Sequence, residues 1–186
     1  MELNEVRVWD PFVRIFHWSL VLTFTIAWLT GDDFEVLHIN AGYAVLGLVL
    51  LRIVWGFIGT NHARFRDFVY PPADVKGFLR DTLMHRARRY LGHNPAGGAM
   101  IILMLMSLFI TTVTGIAYYG IEDGVGQLAM LTGIPEAGEE ILEDVHEFFA
   151  NLMVLLVVVH VIGVIFESRF HHESLIRAML TGRKRV

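Results

Sequence analysis

Four long apolar segments constrain the fold of this chain more than any other feature of its sequence. Each segment has enough consecutive apolar residues to cross the hydrocarbon core of a bilayer, which takes about 20 residues in a helix. Charged residues make up only 18% of the chain and cluster between the segments, whereas 54% of the 186 residues are hydrophobic. This pattern predicts an all-α integral membrane protein with four transmembrane helices. The predicted spans cover residues 12–30, 38–58, 99–119 and 145–166.

The links between these spans differ sharply in charge. The first link holds Asp32, Asp33 and Glu35, and the third link, residues 121–144, holds seven acidic residues; neither contains Lys or Arg. The middle link, residues 59–98 and here called the basic loop, contains seven Lys and Arg residues, and the tail contains five. By the positive-inside rule the basic loop and both termini are cytoplasmic. We interpret the basic residues as a topology signal and not as a nucleic-acid surface.

Within the basic loop, residues 72–91 have the composition of an amphipathic helix that starts at a proline. Its arginines and lysine predict that it lies at the membrane interface, in contact with anionic lipid. We interpret three histidines of this loop, His62, His85 and His93, as interfacial or solvated. The chain has nine histidines and no cysteine. Thiolate metal sites, iron–sulfur clusters and covalently attached c-type haem are therefore excluded.

Four other histidines fall at two depths of the predicted membrane domain. His38 opens the second span and His146 opens the fourth, both on the outer side; we call them the outer pair. His17 lies near the inner start of the first span. His160 lies fourteen residues beyond His146, a rise of roughly 21 Å along a helix, so it falls at the level of His17. His17 and His160 are the inner pair.

Helical geometry also predicts which faces these residues share. Fourteen steps of about 100° leave a residue only about 40° from its starting direction. His146 and His160 therefore lie on one face of the fourth helix. His38 and Arg52 have the same spacing on the second helix, which places Arg52 on the interior face at the inner level.

Two bis-histidine sites stacked in an apolar bundle are the arrangement that two b-type haems need, since haem iron accepts one imidazole on each side. The depths predict that His38 pairs with His146 and that His17 pairs with His160. Arg52 is the main candidate to bind an anionic haem propionate, and Arg14 is a second. A membrane histidine can also hydrogen-bond between helices. A zinc site would require a carboxylate or a third ligand, which the inner level lacks.

Several segments resemble the prokaryotic cytochrome b561 family, especially the cytochrome b subunits that serve nickel–iron hydrogenases and formate dehydrogenases. The matching segments are VWDPFVRIFHW, HINAGYAVLGLVLLRIVWGF, GHNPAGGAMIILMLMSLFITTVTG and HEFFANLMVLLVVVH. The resemblance implies that His17, His38, His146 and His160 ligate two haem b groups and that quinone or quinol is the substrate.

In the formate dehydrogenase relatives a quinone binds near the inner haem, beside a short Asn–Ala–Gly stretch at the start of the third span. The similar positions here are Asn94, Gly97 and Gly98. An equally simple interpretation is that N-P-A-G-G only starts a helix.

The sequence therefore predicts one di-haem cytochrome b domain over residues 1–186, a multi-pass protein of the bacterial inner membrane. It would carry electrons between membrane quinone and a periplasmic redox partner, such as a c-type cytochrome or a hydrogenase small subunit. The acidic outer links could steer a cationic partner. Whether the chain is itself an enzyme stays open. The alternative is a self-contained small-molecule oxidoreductase, for example one that oxidises superoxide with quinone as acceptor; a haem-free scaffold or metal-ion carrier is a third hypothesis.

Overall fold

The computed structural model describes residues 5–31, 33–122, 124 and 135–186. Asp32 and Asp123 of the acidic links lie outside these ranges, and so does the side chain of Glu136. The described elements, in chain order, are β1 Glu5–Arg7, α1 Pro11–Thr30, α2 Glu35–Ile58, α3 Phe65–Phe68, α4 Pro72–Leu83, α5 Pro95–Glu122, α6 Glu136–Phe170, α7 Leu175–Thr181 and β2 Arg183–Arg185.

Helices α1, α2, α5 and α6 are long and apolar enough to cross a membrane, which confirms an all-α fold with four membrane-spanning helices. Two of them extend well beyond the predicted spans. Helix α5 begins at Pro95, and α6 begins at Glu136, nine residues before the predicted start at residue 145. Hydropathy detects the part of a helix that matches lipid, whereas the added residues 136–144 of α6 are rich in Glu, which favours helix in water.

The amphipathic segment expected at residues 72–91 is helical only as far as Leu83. His85 adopts a left-handed conformation with φ of 57°, which ends the helix. The amide of Arg86 then donates to the carbonyl of Asp81 over 2.8 Å, which completes the turn. Residues 86–90 have no regular secondary structure.

Contacts divide the chain into two compact units. The first unit comprises residues 1–17, 52–103 and 156–186, and the second comprises residues 18–51 and 104–155. The division falls inside the long helices, so each of these helices contributes residues to both units. The inner pair of histidines belongs to the first unit and the outer pair belongs to the second.

The first unit joins the two ends of the described chain. Strand β1 pairs antiparallel with β2, so that Val6 faces Lys184. Behind this pair lies a cluster of buried apolar side chains from the N-terminal segment, the basic loop and α7. The cluster contains Val8, Trp9, Val13, Ala63 and Ala178. Because β1 and β2 are hydrogen-bonded to each other, residues 5–7 and 183–185 lie side by side.

Asp10 fixes the start of α1 in this unit. Its Oδ1 accepts a hydrogen bond from the Val13 amide over 2.9 Å, which caps the helix. Its Oδ2 accepts from Trp55 Nε1 over 3.2 Å and from the Thr60 hydroxyl. Burial alone would raise the pKa of Asp10, but the hydrogen bonds from Thr60, Val13 and Trp55 outweigh it and leave that pKa below its usual value.

Lys184 reaches into the same unit from β2, where its side chain is almost fully buried. Its Nζ lies 3.8 Å from a carboxylate oxygen of Glu173 and 3.4 Å from the carbonyl of Tyr90. The ammonium also lies 5.9 Å from the centre of the Trp9 ring. Burial lowers the pKa of Lys184, and Glu173 acts in the opposite direction. A buried cation therefore joins the C-terminal strand to the N-terminal segment.

The second unit has a core of small and branched apolar residues from α2, α5 and α6. Val45, Val49 and Leu108 are almost completely buried. The Ser107 hydroxyl on α5 donates to the carbonyl of Phe149 on α6 over 3.0 Å, a bond between helices of the kind that membrane proteins use. This packing holds the helix faces that bear the outer pair of histidines.

Candidate functional site

His38 on α2 and His146 on α6 face each other in the second unit. Their ring centroids are 6.0 Å apart and their planes make an angle of 72°. The pairing joins two helices that are separated by about a hundred residues of sequence. It brings together the two residues that the sequence placed at the outer level.

Hydrogen bonds fix which nitrogen of each ring is available. His38 Nδ1 lies 2.9 Å from the carbonyl oxygen of Ala27, and His146 Nδ1 lies 2.8 Å from the carbonyl oxygen of Thr111. A carbonyl oxygen only accepts, so each Nδ1 carries the proton and donates. Each Nε2 then has a lone pair free to bind a metal. Metal-binding histidines commonly have this arrangement, because the second bond fixes the tautomer and orients the ring.

The separation of the two rings also fits ligation of one iron from opposite sides. Imidazole nitrogens bind metal ions at about 2 Å, and the ring centre lies about 1 Å beyond the nitrogen. Two imidazoles on opposite sides of one metal ion therefore have centroids roughly 6 Å apart. The observed separation of 6.0 Å agrees with this value.

A cavity of about 880 Å³ opens beside the two rings and is lined by both. Its volume lies within the range of about 300–1,000 Å³ that is usual for cofactor and ligand sites. Gly42 lines it, and a Cβ at Gly42 would meet no atom within 4 Å. Gly115 has a different role, since a Cβ there would lie 2.7 Å from the His146 ring. The second unit thus fits a haem between His38 and His146.

Four glutamates line the same cavity, and we call them the acidic rim. None of the described residues that line it is a lysine or arginine. The rim gives the cavity a negative potential that extends into solvent, because all four residues are exposed. The acidic rim consists of Glu35, Glu122, Glu143 and Glu147.

The inner pair lies in the first unit, where α1 carries His17 and α6 carries His160. Both residues are half-buried. They lie close enough for a charge on one imidazole to act on the other. Their assignment to a second haem stays a prediction.

Arg52 and Arg14 each use one guanidinium nitrogen to bond a backbone carbonyl. Arg52 is only 3% exposed; its Nη2 donates to the Ala63 carbonyl over 3.0 Å, while Nη1 is buried and has no hydrogen-bond acceptor among the described residues. Arg14 donates through Nη1 to the carbonyl of Leu180 over 2.6 Å. Nε of Arg14 is likewise buried without an acceptor among the described residues, so both guanidinium groups keep a donor, and Arg52 is the more deeply buried of the two.

The candidate quinone residues all have structural roles at the start of α5. Asn94 Oδ1 accepts a hydrogen bond from the Gly97 amide over 2.7 Å, which caps the helix. A side chain at Gly98 would overlap the carbonyl of Phe68, so the helix and the basic loop approach closely there. The Asn94 side chain also hydrogen-bonds Glu167. These contacts account for N-P-A-G-G as a helix start, and a role in quinone binding stays a prediction.

His93, which its place in the basic loop predicted to be interfacial or solvated, is only partly exposed. Its ring packs between Trp9 and Phe68, with centroid distances of 4.5 and 5.0 Å. Nδ1 is buried and has no acceptor among the described residues. Burial, and then the neighbouring charge of Arg52, lowers the pKa of His93 to about 3, so the ring is neutral. Sequence position gave no signal for this burial, because Trp9 and Phe68 are distant in the chain.

Across the described ranges, no three His, Cys, Asp or Glu side chains form a cluster that could hold a metal ion. The four membrane histidines are therefore arranged as pairs and not as the three- or four-ligand groups that zinc prefers. Paired imidazoles suit a metal whose other ligands come from a macrocycle.

Comparison with known proteins agrees with this geometry. Residues 8–182 match the family model described as prokaryotic cytochrome b561. The chain is 28% identical to a probable Ni/Fe-hydrogenase B-type cytochrome subunit from Azotobacter vinelandii, over 96% of this chain and 88% of the relative. It is 24% identical to a protein of the same name from Rhodobacter capsulatus, over 97% and 82% of the two chains.

A third relative is the probable Ni/Fe-hydrogenase 1 B-type cytochrome subunit of Escherichia coli strain K12, which is 25% identical over 94% of this chain and 88% of the relative. The family match extends from before α1 to the end of α7 and includes all four spans. The chain therefore belongs to the prokaryotic cytochrome b561 family, whose members are multi-pass, haem-b-binding electron-transfer proteins of the bacterial inner membrane.

Proposed function

We propose that this protein transfers electrons across the membrane between the quinone pool and a redox partner on the periplasmic side, through two bis-histidine haem b groups. Bound haem iron supplies reversible one-electron oxidation and reduction. The protein supplies the axial imidazoles, the apolar surroundings and the cations that hold the haem carboxylates.

The outer pair is the observation that carries this proposal. The ring centroids of His38 and His146 lie 6.0 Å apart, and each Nδ1 is held by a backbone carbonyl, so each Nε2 is available to a ligand. Two histidines that only joined helices would bond each other or a polar side chain of the opposite helix. Here Nδ1 of each ring donates to a backbone carbonyl, which leaves Nε2 of each ring available for a ligand.

The inner haem would be held by His17 and His160, with Arg52 at a propionate. The positive charge of the basic loop and tail supports a position of this pair toward the cytoplasm. We propose that quinone binds on that side, close to Asn94, Gly97 and Gly98. The support is the resemblance of the α5 start to the quinone-binding stretch of the formate dehydrogenase subunits.

The acidic rim supports a periplasmic partner with a basic docking surface. Four exposed glutamates around the outer cavity would speed the approach of such a protein and orient it. The relatives are named as hydrogenase subunits, so the small subunit of a hydrogenase is one candidate. A c-type cytochrome is the other. The alignment with the Azotobacter vinelandii relative spans 218 positions against 186 residues here, so that relative has segments that this chain lacks.

The same rim weighs against the small-molecule alternative. Superoxide is an anion, and four carboxylates at the mouth of the outer cavity would slow its entry. No lysine or arginine among the described residues that line the cavity would offset this repulsion. Electron transfer to or from a cationic protein is therefore the better-supported reaction.

Haem stoichiometry after single substitutions tests the proposal. Pyridine haemochrome assays of purified protein should give two haem b groups per chain, with low-spin spectra. His38→Ala and His146→Ala should each lower the content to one haem. His17→Ala and His160→Ala should each remove the other haem, which is distinguished by its reduction potential.

His85→Ala is the matched control, because His85 is exposed and lies outside the spans. It should keep both haems. A parent protein that binds no haem, or an equal loss of both haems in every variant including the control, would refute the pairing.

Function itself is tested in proteoliposomes. A quinol should reduce both haems, and a basic c-type cytochrome added to the side of the acidic rim should reoxidise them. If superoxide reduces the haems faster than any quinol or protein donor, the reaction assignment fails even though the haem sites stand.

A further inference from the structure

Several buried side-chain nitrogen atoms in the first unit have no hydrogen-bond partner among the described residues. Nη1 of Arg52 and Nδ1 of His93 are two of them. A buried donor without an acceptor costs about 1–3 kcal/mol, and more if the group is charged. Native proteins rarely leave such groups unpaired, so both nitrogens indicate a ligand.

The surroundings of Arg52 explain why the protein itself does not satisfy this charge. The guanidinium carbon lies 5.6 and 5.7 Å from the ring centres of Phe68 and Phe65, and Nη2 already binds Ala63. The charge of Asp10 acts on Arg52, but that carboxylate already accepts from three donors. Arg52 therefore keeps one donor and most of its charge for another group.

Arg52 and His93 both contact the Phe68 ring, whose centroid lies 5.6 Å from the guanidinium carbon and 5.0 Å from the centroid of the imidazole. Lys184 is a second cation that acts on His93. The cations around it make the surroundings of its ring positive. Its ring is also close enough to His160 of the inner pair for their charges to interact. The free donors of Arg52 and His93 thus belong to one positive region beside the inner pair.

We propose that Arg52 and His93 together bind one propionate of the haem held by His17 and His160. This inference rests on the proposed function, because it requires a haem at the inner pair. A carboxylate has two oxygens and one negative charge. It would accept from the guanidinium and the imidazole and offset the positive region.

The charge of the region favours a carboxylate over the carbonyl of a quinone, which is neutral and would leave the guanidinium uncompensated. Because Arg52 is almost fully buried, the phosphate of a surface lipid cannot reach it without displacing the aromatic side chains. His93 is the new assignment, and its role is to position the propionate and stabilise its charge.

The reduction potential of the inner haem tests this assignment. In His93→Phe the ring between Trp9 and Phe68 is kept, but the N–H donor is lost. The propionate charge is then less compensated, which disfavours adding an electron to the nearby iron. At a fixed ambient potential we expect the reduced-to-oxidised ratio of the inner haem to fall about tenfold, equal to 59 mV for a one-electron couple.

Two matched variants separate hydrogen bonding from packing. His93→Gln keeps an N–H donor and should restore most of the shift, whereas His85→Phe changes an exposed histidine of the same loop and should give none. The outer haem of each sample is the internal reference and should keep its potential. An equal shift in both haems, or no shift in His93→Phe, would overturn the proposal.

Reconstitution with haem dimethyl ester isolates the propionate. This haem has no carboxylates, so His93→Phe should no longer change the potential of the inner haem in the reconstituted protein. A shift that persists with the ester would mean that His93 acts through the fold and would overturn the assignment. If His93→Phe folds poorly, Arg52→Lys provides the same comparison, since it keeps the charge and loses the planar donor group.

The outcomes also separate this inference from the proposed function. A parent protein that binds no haem would refute both the proposed function and the inference about His93. If the parent protein binds two haems that quinol reduces normally, but the reduction potential of the inner haem is the same in His93→Phe, only the inference about His93 is refuted.

Discussion

Replacing Gly115 by alanine would place a methyl group against the imidazole of His146. The added Cβ would lie 2.7 Å from both Nδ1 and Cε1 of the ring, whereas ordinary contacts begin at 3.4 Å. The ring must therefore move by about 0.7 Å. Such a shift would stretch or break the 2.8 Å bond to the Thr111 carbonyl, which contributes about 0.5–1.5 kcal/mol. It would also displace Nε2 by a large fraction of an iron–nitrogen bond of about 2 Å.

We expect Gly115→Ala to lose the outer haem, or to convert it from a low-spin to a high-spin form, while the inner haem is unchanged. Haem content per chain and optical spectra of the reduced protein measure this. Gly163→Ala on α6 is the control, because a Cβ there meets no atom within 4 Å and alanine favours helix by up to about 1 kcal/mol. Two low-spin haems with unchanged potentials in Gly115→Ala would refute the reasoning, and so would the same loss in both variants.

Three further predictions follow from other contacts. Asp10→Ala should lower the unfolding free energy by about 2 kcal/mol at neutral pH, since it removes a helix cap and two side-chain hydrogen bonds. Folding lowers the pKa of Asp10, so the stabilisation by its carboxylate is complete above the ordinary pKa of 3.8 and is lost as the pH falls through the pKa of the folded protein. Thermal unfolding curves of the parent and the variant in detergent should therefore converge below the pKa of the folded protein. Gly42→Ala should reduce the content of the outer haem although the added Cβ meets no protein atom, because Gly42 lines the cavity. Gly47→Ala is the control, since Gly47 is equally open but is not among the residues that line the cavity. Equal haem content in the two variants would count against a haem in the cavity. Glu143→Gln combined with Glu147→Gln should slow electron exchange with a basic c-type cytochrome severalfold at low salt and leave it unchanged at high salt, as stopped-flow traces would show; a salt-independent effect would exclude steering.

Regular helix geometry explains why much of the outer site could be expected from sequence. The depth of His38 and His146 depends only on span position and on the rise per residue, and the structure does bring the two rings together. The hydrogen bonds of these rings could not be expected, because Ala27 and Thr111 accept through backbone atoms that carry no sequence signal. The role of Gly115 was likewise hidden, since it supports a histidine on another helix.

The basic loop was harder to interpret from sequence. Its composition suggested an interfacial helix over residues 72–91 with interfacial or solvated histidines, yet α4 ends at Leu83 and the His93 ring packs against Trp9 and Phe68. Both features depend on tertiary contacts that local propensity does not encode. The start of α5, in contrast, could be predicted from sequence, because a capping residue followed by proline is a local signal and Asn94 with Pro95 provides it.

The division of the chain into two units has a consequence for biosynthesis. Every residue of the second unit precedes Leu156, whereas the first unit needs His160, α7 and strand β2. A bacterial ribosome adds about 5–20 residues per second, so residues 156–186 take seconds to make. During that time His38 and His146 already exist, but His17 still awaits its partner. Pairing of β1 with β2 is therefore the last step of assembly, because β2 is made after every other described element.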